Sequence, residues 1–218
     1  MPPKTKAKAR LFPDEAFDFY EGLVADNSKT YWLAHKDIYD RSVRAPMTEL
    51  LEKLAPKFDT DELTIFRPYR DVRFSKDKSP YKTSQGGLLE VEPSMGYYVE
   101  INPEGVRVAG GFWSRDRAQT ARYRDAVDSD LTGPELVSLA AKLEKAGFTV
   151  GGHQVKTRPR GVAADHARLD LMRREFVTAG RTFAPDEVTV DTVEKAWRQL
   201  TPLIDWARHN CPPELGEA

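Results

Sequence analysis

Six cations fall within sixteen residues: Arg67, Arg70, Arg73, Lys76, Lys78 and Lys82, with Asp71 and Asp77 set between them. An arginine offers a planar fork that grips a carboxylate or phosphate through two hydrogen bonds, and a lysine offers a compact point charge. Tyr81 and the hydroxyls of Ser75, Ser79 and Thr83 add donors, and Pro80 stiffens a turn. Together these are the parts of an anion site. A second group, Lys156, Arg158 and Arg160, stands beside Gly161, where a missing side chain lets backbone approach a ligand. Asp165-His166 follows it and is the best acid/base candidate, because an imidazole titrates near neutrality and the preceding cations would surround an anionic substrate. Plainer roles compete. Arginines alternating with acids in a strand also form internal ion pairs, and His166 suits helix capping or packing equally well.

Other chemistry is poorly represented. His35, His153, His166 and His209 are scattered, with no His-x-His pair and no HExxH pattern. There is no phosphate-binding GxxxxGK[ST] loop, no GxGxxG and no nucleophile elbow. Neither a metal nor a cofactor is therefore expected. The lone Cys211 can form no internal disulfide and precedes Pro212-Pro213. Glu90 and Glu100 fall on predicted strands that the sequence cannot orient. Tyr31, Trp32, Tyr69, Tyr81, Tyr97, Tyr98 and Trp113 could stack on bases if they lined a basic groove, although their spacing suits a core.

Charge is segregated. The formal total is −1, yet residues 1–10, 66–82 and 156–174 each carry +4, so the remaining 172 residues sum to −13. That pattern disfavours a diffuse whole-surface nucleic-acid binder and favours a local anion site. Hydrophobic residues at 40% exclude wholesale disorder, and no run approaches the roughly 20 apolar residues of a membrane span. With no secretory-type opening segment, a cytoplasmic location and no membrane partner are expected.

The elements that must position these residues change period along the chain. Phe12-Pro13-Asp14-Glu15 reads as a helix start, followed by Phe17, Tyr20 and Val24 at helical spacing. Asp26-Asn27-Ser28 ends that helix and caps a second one over about 29–58, which Pro46 should kink or break. Short strands are expected at 63–66, 71–74, 87–91 and 97–101. Asn102-Pro103-Glu104-Gly105 turns into another at 106–109, closed by Gly110-Gly111. In a strand at 71–75, Val72 and Phe74 face one side while Asp71 and Arg73 share the other, where they can pair. Helices follow at about 116–128, 133–146 and 168–174, with Gly147 capping the second. A strand near 176–178 and a final helix capped by Asp191 or Thr192 complete the series. Helices at both ends with strands between predict an α+β fold, a mostly antiparallel sheet flanked by N- and C-terminal helices. The expected layout is a basic flexible tail over 1–10, one domain over 11–211 and a short tail over 212–218.

The run RDVRFSKDKSPYKT (70–83) resembles the signature of the bacterial and fungal family catalogued as domain of unknown function 2461. Phe17 to Trp32, with its Asp-Asn-Ser-Lys helix break and aromatic pair, is similar to the start of that family. Tyr97 to Trp113 is similar to its central hairpin, and Lys156 to His166 to a later Pro-basic-Gly…Asp-His segment. Ser28 and Tyr31 depart from the pattern, which more often has Asn and Trp there. The resemblance covers about 11–210 and implies a single α+β domain of no established activity. From the residues themselves, the leading expectation is binding of an anionic small molecule. A nucleic-acid-associated protein is the alternative, and a hydrolase-like enzyme using Asp165-His166 with arginine stabilisation is a third. The oligomeric state is not legible.

Overall fold

Pro13 is extended, and helix α1 (Asp14–Ala25) begins directly after it with Asp14 and Glu15 in its first turn, near the positive end of the helix dipole. The structure is a computed structural model and describes residues 10–213. The expected basic tail, apart from Arg10, and the end of the C-terminal tail therefore lie outside the described residues. Ala16, Phe19, Tyr20 and Leu23 centre the buried stripe of α1. Val24, one residue and about 100° further round, is exposed rather than part of that stripe.

Ser28 caps the next helix, accepting a hydrogen bond from the Tyr31 amide at 3.1 Å. The predicted helix over 29–58 is a run of changing pitch: α2 (Lys29–Ile38), a π-helical turn over Tyr39–Arg44, α3 (Ala45–Leu54) and a 3₁₀ turn over Ala55–Phe58. Pro46 occupies the first turn of α3, where its missing N–H costs little. Upstream, the wider π turn relieves the crowding that a proline ring imposes on the preceding turn, so the chain changes pitch instead of breaking. That turn buries Tyr39, Ser42 and Val43.

Six strands follow: β1 (Leu63–Ile65), β2 (Gln85–Glu92), β3 (Met95–Asn102), β4 (Gly105–Phe112), β5 (Thr149–Gly151) and β6 (Thr178–Phe183). They form one antiparallel sheet in the order β1-β2-β3-β4-β6-β5, and the fold is α+β. Gly110 and Gly111 lie inside β4 rather than closing it. The reason is a close approach: a Cβ on Gly111, at φ +138°, would stand 2.6 Å from the Val177 carbonyl oxygen. The strand expected at 176–178 begins two residues later.

Four helices complete the fold: α4 (Arg117–Asp128), α5 (Gly133–Lys145), α6 (Leu169–Met172) and α7 (Val190–Asn210). Gly147, at φ +85°, ends α5 as its C-cap sequence predicts, and the Phe148 amide returns to the Leu143 carbonyl at 3.0 Å. The cap of α7 is Thr189 and not Asp191 or Thr192. Its hydroxyl accepts from the Thr192 amide at 3.2 Å while Thr192 Oγ1 accepts from the Thr189 amide at 3.3 Å, a reciprocal pair that leaves Thr192 in the first turn.

The chain divides into two compact units, each assembled from separate stretches. Among the described residues, one comprises 10–88, 99–107 and 182–195, and the other 89–98, 108–181 and 196–213. The first has a core of Phe12, Phe19, Tyr20, Trp32, Met47 and Leu51. The second buries Phe112, Tyr123, Trp197, Leu200 and Trp206. Cys211 is fully buried there, and burial pushes its thiol up to about 12. Among the described residues no helix is long and apolar enough to cross a membrane.

Candidate functional site

The segment 70–80 is a loop and not the strand expected at 71–75. Its base is tied by the Arg70 amide to the Pro80 carbonyl (2.9 Å) and the Lys82 amide to the Pro68 carbonyl (2.8 Å), around an isolated antiparallel bridge between Tyr69 and Tyr81. Pro68 and Pro80 at its two ends and two aspartates explain the difference: each Asp bonds an amide two residues on, which bends the chain. Asp71 Oδ1 accepts from the Arg73 amide at 3.2 Å, and Asp77 Oδ1 from the Ser79 amide at 2.9 Å.

The same carboxylates neutralise two of the six cations. Asp71 takes Arg73 Nε at 3.0 Å and Nη2 at 2.7 Å, and this fork holds its carboxyl below the ordinary carboxylate range. The Asp71–Arg73 pair thus forms, but across a turn. Asp77 binds Arg70 as well as Ser79. Ser79's hydrogen bonds, then Arg70, pull its carboxyl down to about 2. Lys78 Nζ donates to the Val72 carbonyl at 2.9 Å, Lys82 lies over the Phe66 ring, and Lys76 is exposed. Arg67, Lys76, Lys78 and Lys82 remain with no acid bound to them among the described residues.

Arg67 borders a cavity of about 270 Å³ lined by Trp32, Lys36, Tyr39, Asp40, Arg44 and Ile65 to Tyr69. Its walls are aromatic and its rim is cationic. The Trp32 indole stacks on Tyr81 with centroids 4.4 Å apart and an interplanar angle of 9°, and Tyr39 lies 4.8 Å from Trp32. Tyr81, expected to offer donors to a ligand, is buried in this cluster. Tyr69 lies 6.1 Å from Trp32 and is half-exposed. The cluster is fixed from two sides. Asn27 pairs with the Tyr81 backbone, and the Tyr39 hydroxyl donates to Gln85 Oε1 at 2.6 Å. Burial pushes the Tyr39 hydroxyl up to about 12 despite the opposing charge of Arg44. On the rim Lys36 pairs with Asp40, whereas Arg44 and Arg67 make no ion pair among the described residues.

The second basic segment is built differently. Arg168 donates to the Val127 and Asp128 carbonyls at 2.6 Å each and closes the end of α4. Arg173 bonds the Val155 and Lys156 carbonyls, and Arg174 the Val150 carbonyl. Lys156, Arg158, Arg160 and Gly161 are exposed. His166 is held by Asp128, not by its neighbour Asp165: Nε2 lies 2.9 Å from Asp128 Oδ1, and Nδ1 accepts from the Arg168 amide at 3.1 Å. Accepting at Nδ1 leaves Nε2 as the protonated nitrogen, so both ring nitrogens are engaged in holding the turn. Asp165 is exposed. The two basic segments belong to different compact units.

A second cavity, about 480 Å³ and not legible in the sequence, is lined by Ser114 to Arg117, Thr120, Arg124, Glu175 and Phe176. Most of its charges are already satisfied. Arg115 binds Glu90 at 2.5 Å, Arg124 the Met172 carbonyl at 3.2 Å and Glu175 the His153 ring at 2.6 Å. Asp116 caps α4 through the Gln119 amide at 2.7 Å. Glu90 thus serves as a partner of Arg115, and Glu100 sits half-buried on β3.

Of the aromatic residues singled out for stacking, Trp32, Tyr81 and Tyr97 are core. The exposed rings are Tyr69 and two that periodicity assigned elsewhere, Phe66 and Phe74. No curated protein matches the sequence. A family model described as "Conserved hypothetical protein (DUF2461)" matches residues 15–206, so the chain belongs to that family.

Proposed function

We propose that this protein binds a phosphate- or carboxylate-bearing small molecule in the cavity between the π turn and the Ile65–Tyr69 segment. The observation that carries the reading is the pair Arg44 and Arg67: two guanidinium groups on one cavity rim without an ion-pair partner among the described residues. The lining carries three cations, Lys36, Arg44 and Arg67, against Asp40 alone. The 480 Å³ cavity sets three arginines against Asp116 and Glu175, with Glu90 bound to Arg115, so it is nearly balanced. Aromatic walls exclude water and strengthen charge recognition at the rim. Arg70 and Arg73, parts of the expected clamp, serve here by folding the loop. No cofactor is required by this reading. A cytoplasmic location is part of the proposal.

Thermal-shift and calorimetric titration with phosphate, pyrophosphate and nucleoside monophosphates tests it. The wild type should be stabilised by at least one of these ligands, and Arg67→Ala and Arg44→Ala should each abolish most of the shift. Both side chains are exposed, so the variants should fold. Absence of any shift in the wild type, or equal shifts in all three proteins, would refute the assignment.

A further inference from the structure

Phe74 is 97% exposed at the crown of a loop that its own hydrogen bonds hold in place. A single exposed apolar ring is ordinary on a protein surface and takes on meaning only where its surroundings are specialised. Here they are. Along the chain, Phe66 (37% exposed), Arg67, Tyr69 (49%), Phe74, Lys76 and Lys78 follow one another within thirteen residues, and Lys82 lies across Phe66. Both acids of the segment are already bound, Asp71 to Arg73 and Asp77 to Arg70. The segment thus presents four cations with no acid on them and two accessible rings, Phe74 and Tyr69, with Phe66 lying under Lys82.

We infer that this loop is a binding track for single-stranded nucleic acid, with Phe74 and Tyr69 stacking on unpaired bases and Arg67, Lys76, Lys78 and Lys82 following the phosphates. The inference rests on the anion-binding reading of the cavity, because Arg67 and Tyr69 are shared, and it extends that reading from one phosphate to a strand. Bases stack on aromatic faces without regard to sequence, while interleaved cations track the backbone. A duplex hides its base faces and cannot use Phe74 in this way. A lipid surface is a poorer match, since it rewards a contiguous apolar patch and Val72, the nearest apolar neighbour, is half-buried.

The test is fluorescence anisotropy of the full chain with labelled 15-mer oligo-dT and oligo-rU, a 15-bp duplex and vesicles containing anionic lipid. Expected is binding of the single strands with a slope of log K on log salt of about −3, from roughly 0.7 per phosphate contacted at four cations. Phe74→Ala should weaken it about tenfold or more, and Phe74→Trp should retain it, as loss and replacement of a stacking platform require. Lys76→Ala/Lys78→Ala together should reduce the slope by about 1.4, two contacts at roughly 0.7 each. Each change is at an exposed loop side chain, and circular dichroism of the variants checks the fold.

If nucleoside monophosphates bind at Arg67 but the oligonucleotide binds no tighter and Phe74→Ala changes nothing, the track is refuted and the small-anion reading stands. If vesicles and not oligonucleotides respond to Phe74→Ala, the loop is a membrane-surface device and the inference fails. If neither monophosphates nor strands bind, both readings fall.

Discussion

Asn27 decides whether the aromatic cluster under the cavity holds together. Its side-chain oxygen accepts from the Tyr81 amide at 3.0 Å and its amide nitrogen donates to the Tyr81 carbonyl at 3.1 Å. The pair mimics a β-bridge between residues 54 apart in the chain and seats Tyr81 against Trp32. Because a backbone N–H can only donate and a carbonyl can only accept, the orientation of the amide is fixed. Asn27→Ala removes two part-buried hydrogen bonds at about 1 kcal/mol each, so about 2 kcal/mol in total. At roughly 2–4 °C per kcal/mol for a chain of this size, Tm should fall by about 4–8 °C. Asn27→Asp is nearly isosteric yet should be no more stable than the alanine variant at pH 7, because it sets a carboxylate oxygen against the Tyr81 carbonyl. That repulsion and partial burial raise the introduced carboxyl above its ordinary value of about 3.9. Its deficit is therefore full above the raised value and shrinks as pH falls through it, when the protonated oxygen can donate. Urea midpoints from tryptophan fluorescence, with near-UV circular dichroism for the Trp32–Tyr81 stack, should be compared at pH 7 and 4.5. The reasoning is wrong if Asn27→Ala costs under about 0.5 kcal/mol, or if Asn27→Asp matches the wild type at pH 7.

Two further expectations concern the charged segments. Asp77, drawn down to about 2 by Ser79 and then Arg70, gives the loop a clamp present above the ordinary value of 3.8 and lost only as pH falls through about 2. A carboxyl-carbon NMR titration should put Asp77 near 2 and Ser79→Ala closer to the ordinary value, and a wild-type midpoint near 4 would contradict the clamp. Around His166, Asp128→Ala should lower stability by about 1 kcal/mol while Asp165→Ala stays within about 0.5 kcal/mol of wild type, both read from urea midpoints. Reversed magnitudes would restore Asp165 as the partner of the imidazole.

Features set by local chemistry were legible in the sequence. The Ser28 cap, the Gly147 stop, the Asn102–Gly105 hairpin turn and the order of helices and strands, apart from the strand expected at 71–75, follow from residue types within a few positions. The α+β class followed from that order. Three features were not, for a shared reason. The π turn before Pro46 buries Tyr39 and Val43, and the Tyr39 hydroxyl reaches Gln85, 46 residues on. The extension of β4 through Gly110 and Gly111 depends on backbone from 177–178 closing on Gly111. The seating of Tyr81 depends on Asn27, far upstream. In each the deciding partner is distant in sequence, and periodicity has no access to it.

The candidate site shows the same division in its charges. Counting residues gave +4 over 66–82 and +4 over 156–174, which made the two segments look alike. The fold separates them by what each cation touches. In the second segment Arg168, Arg173 and Arg174 turn inward onto carbonyls, which fixes their direction and removes them from any surface track. In the first, two aspartates placed two residues before an amide bend the chain and take up Arg70 and Arg73. A strand there would have turned Phe74 toward the core. Bending the loop puts it into water, followed by the unneutralised Lys76 and Lys78. The acids that lower the net charge of the segment are thus the residues that shape its exposed, cationic and aromatic face, and removing either should cost the loop its form before it adds usable charge.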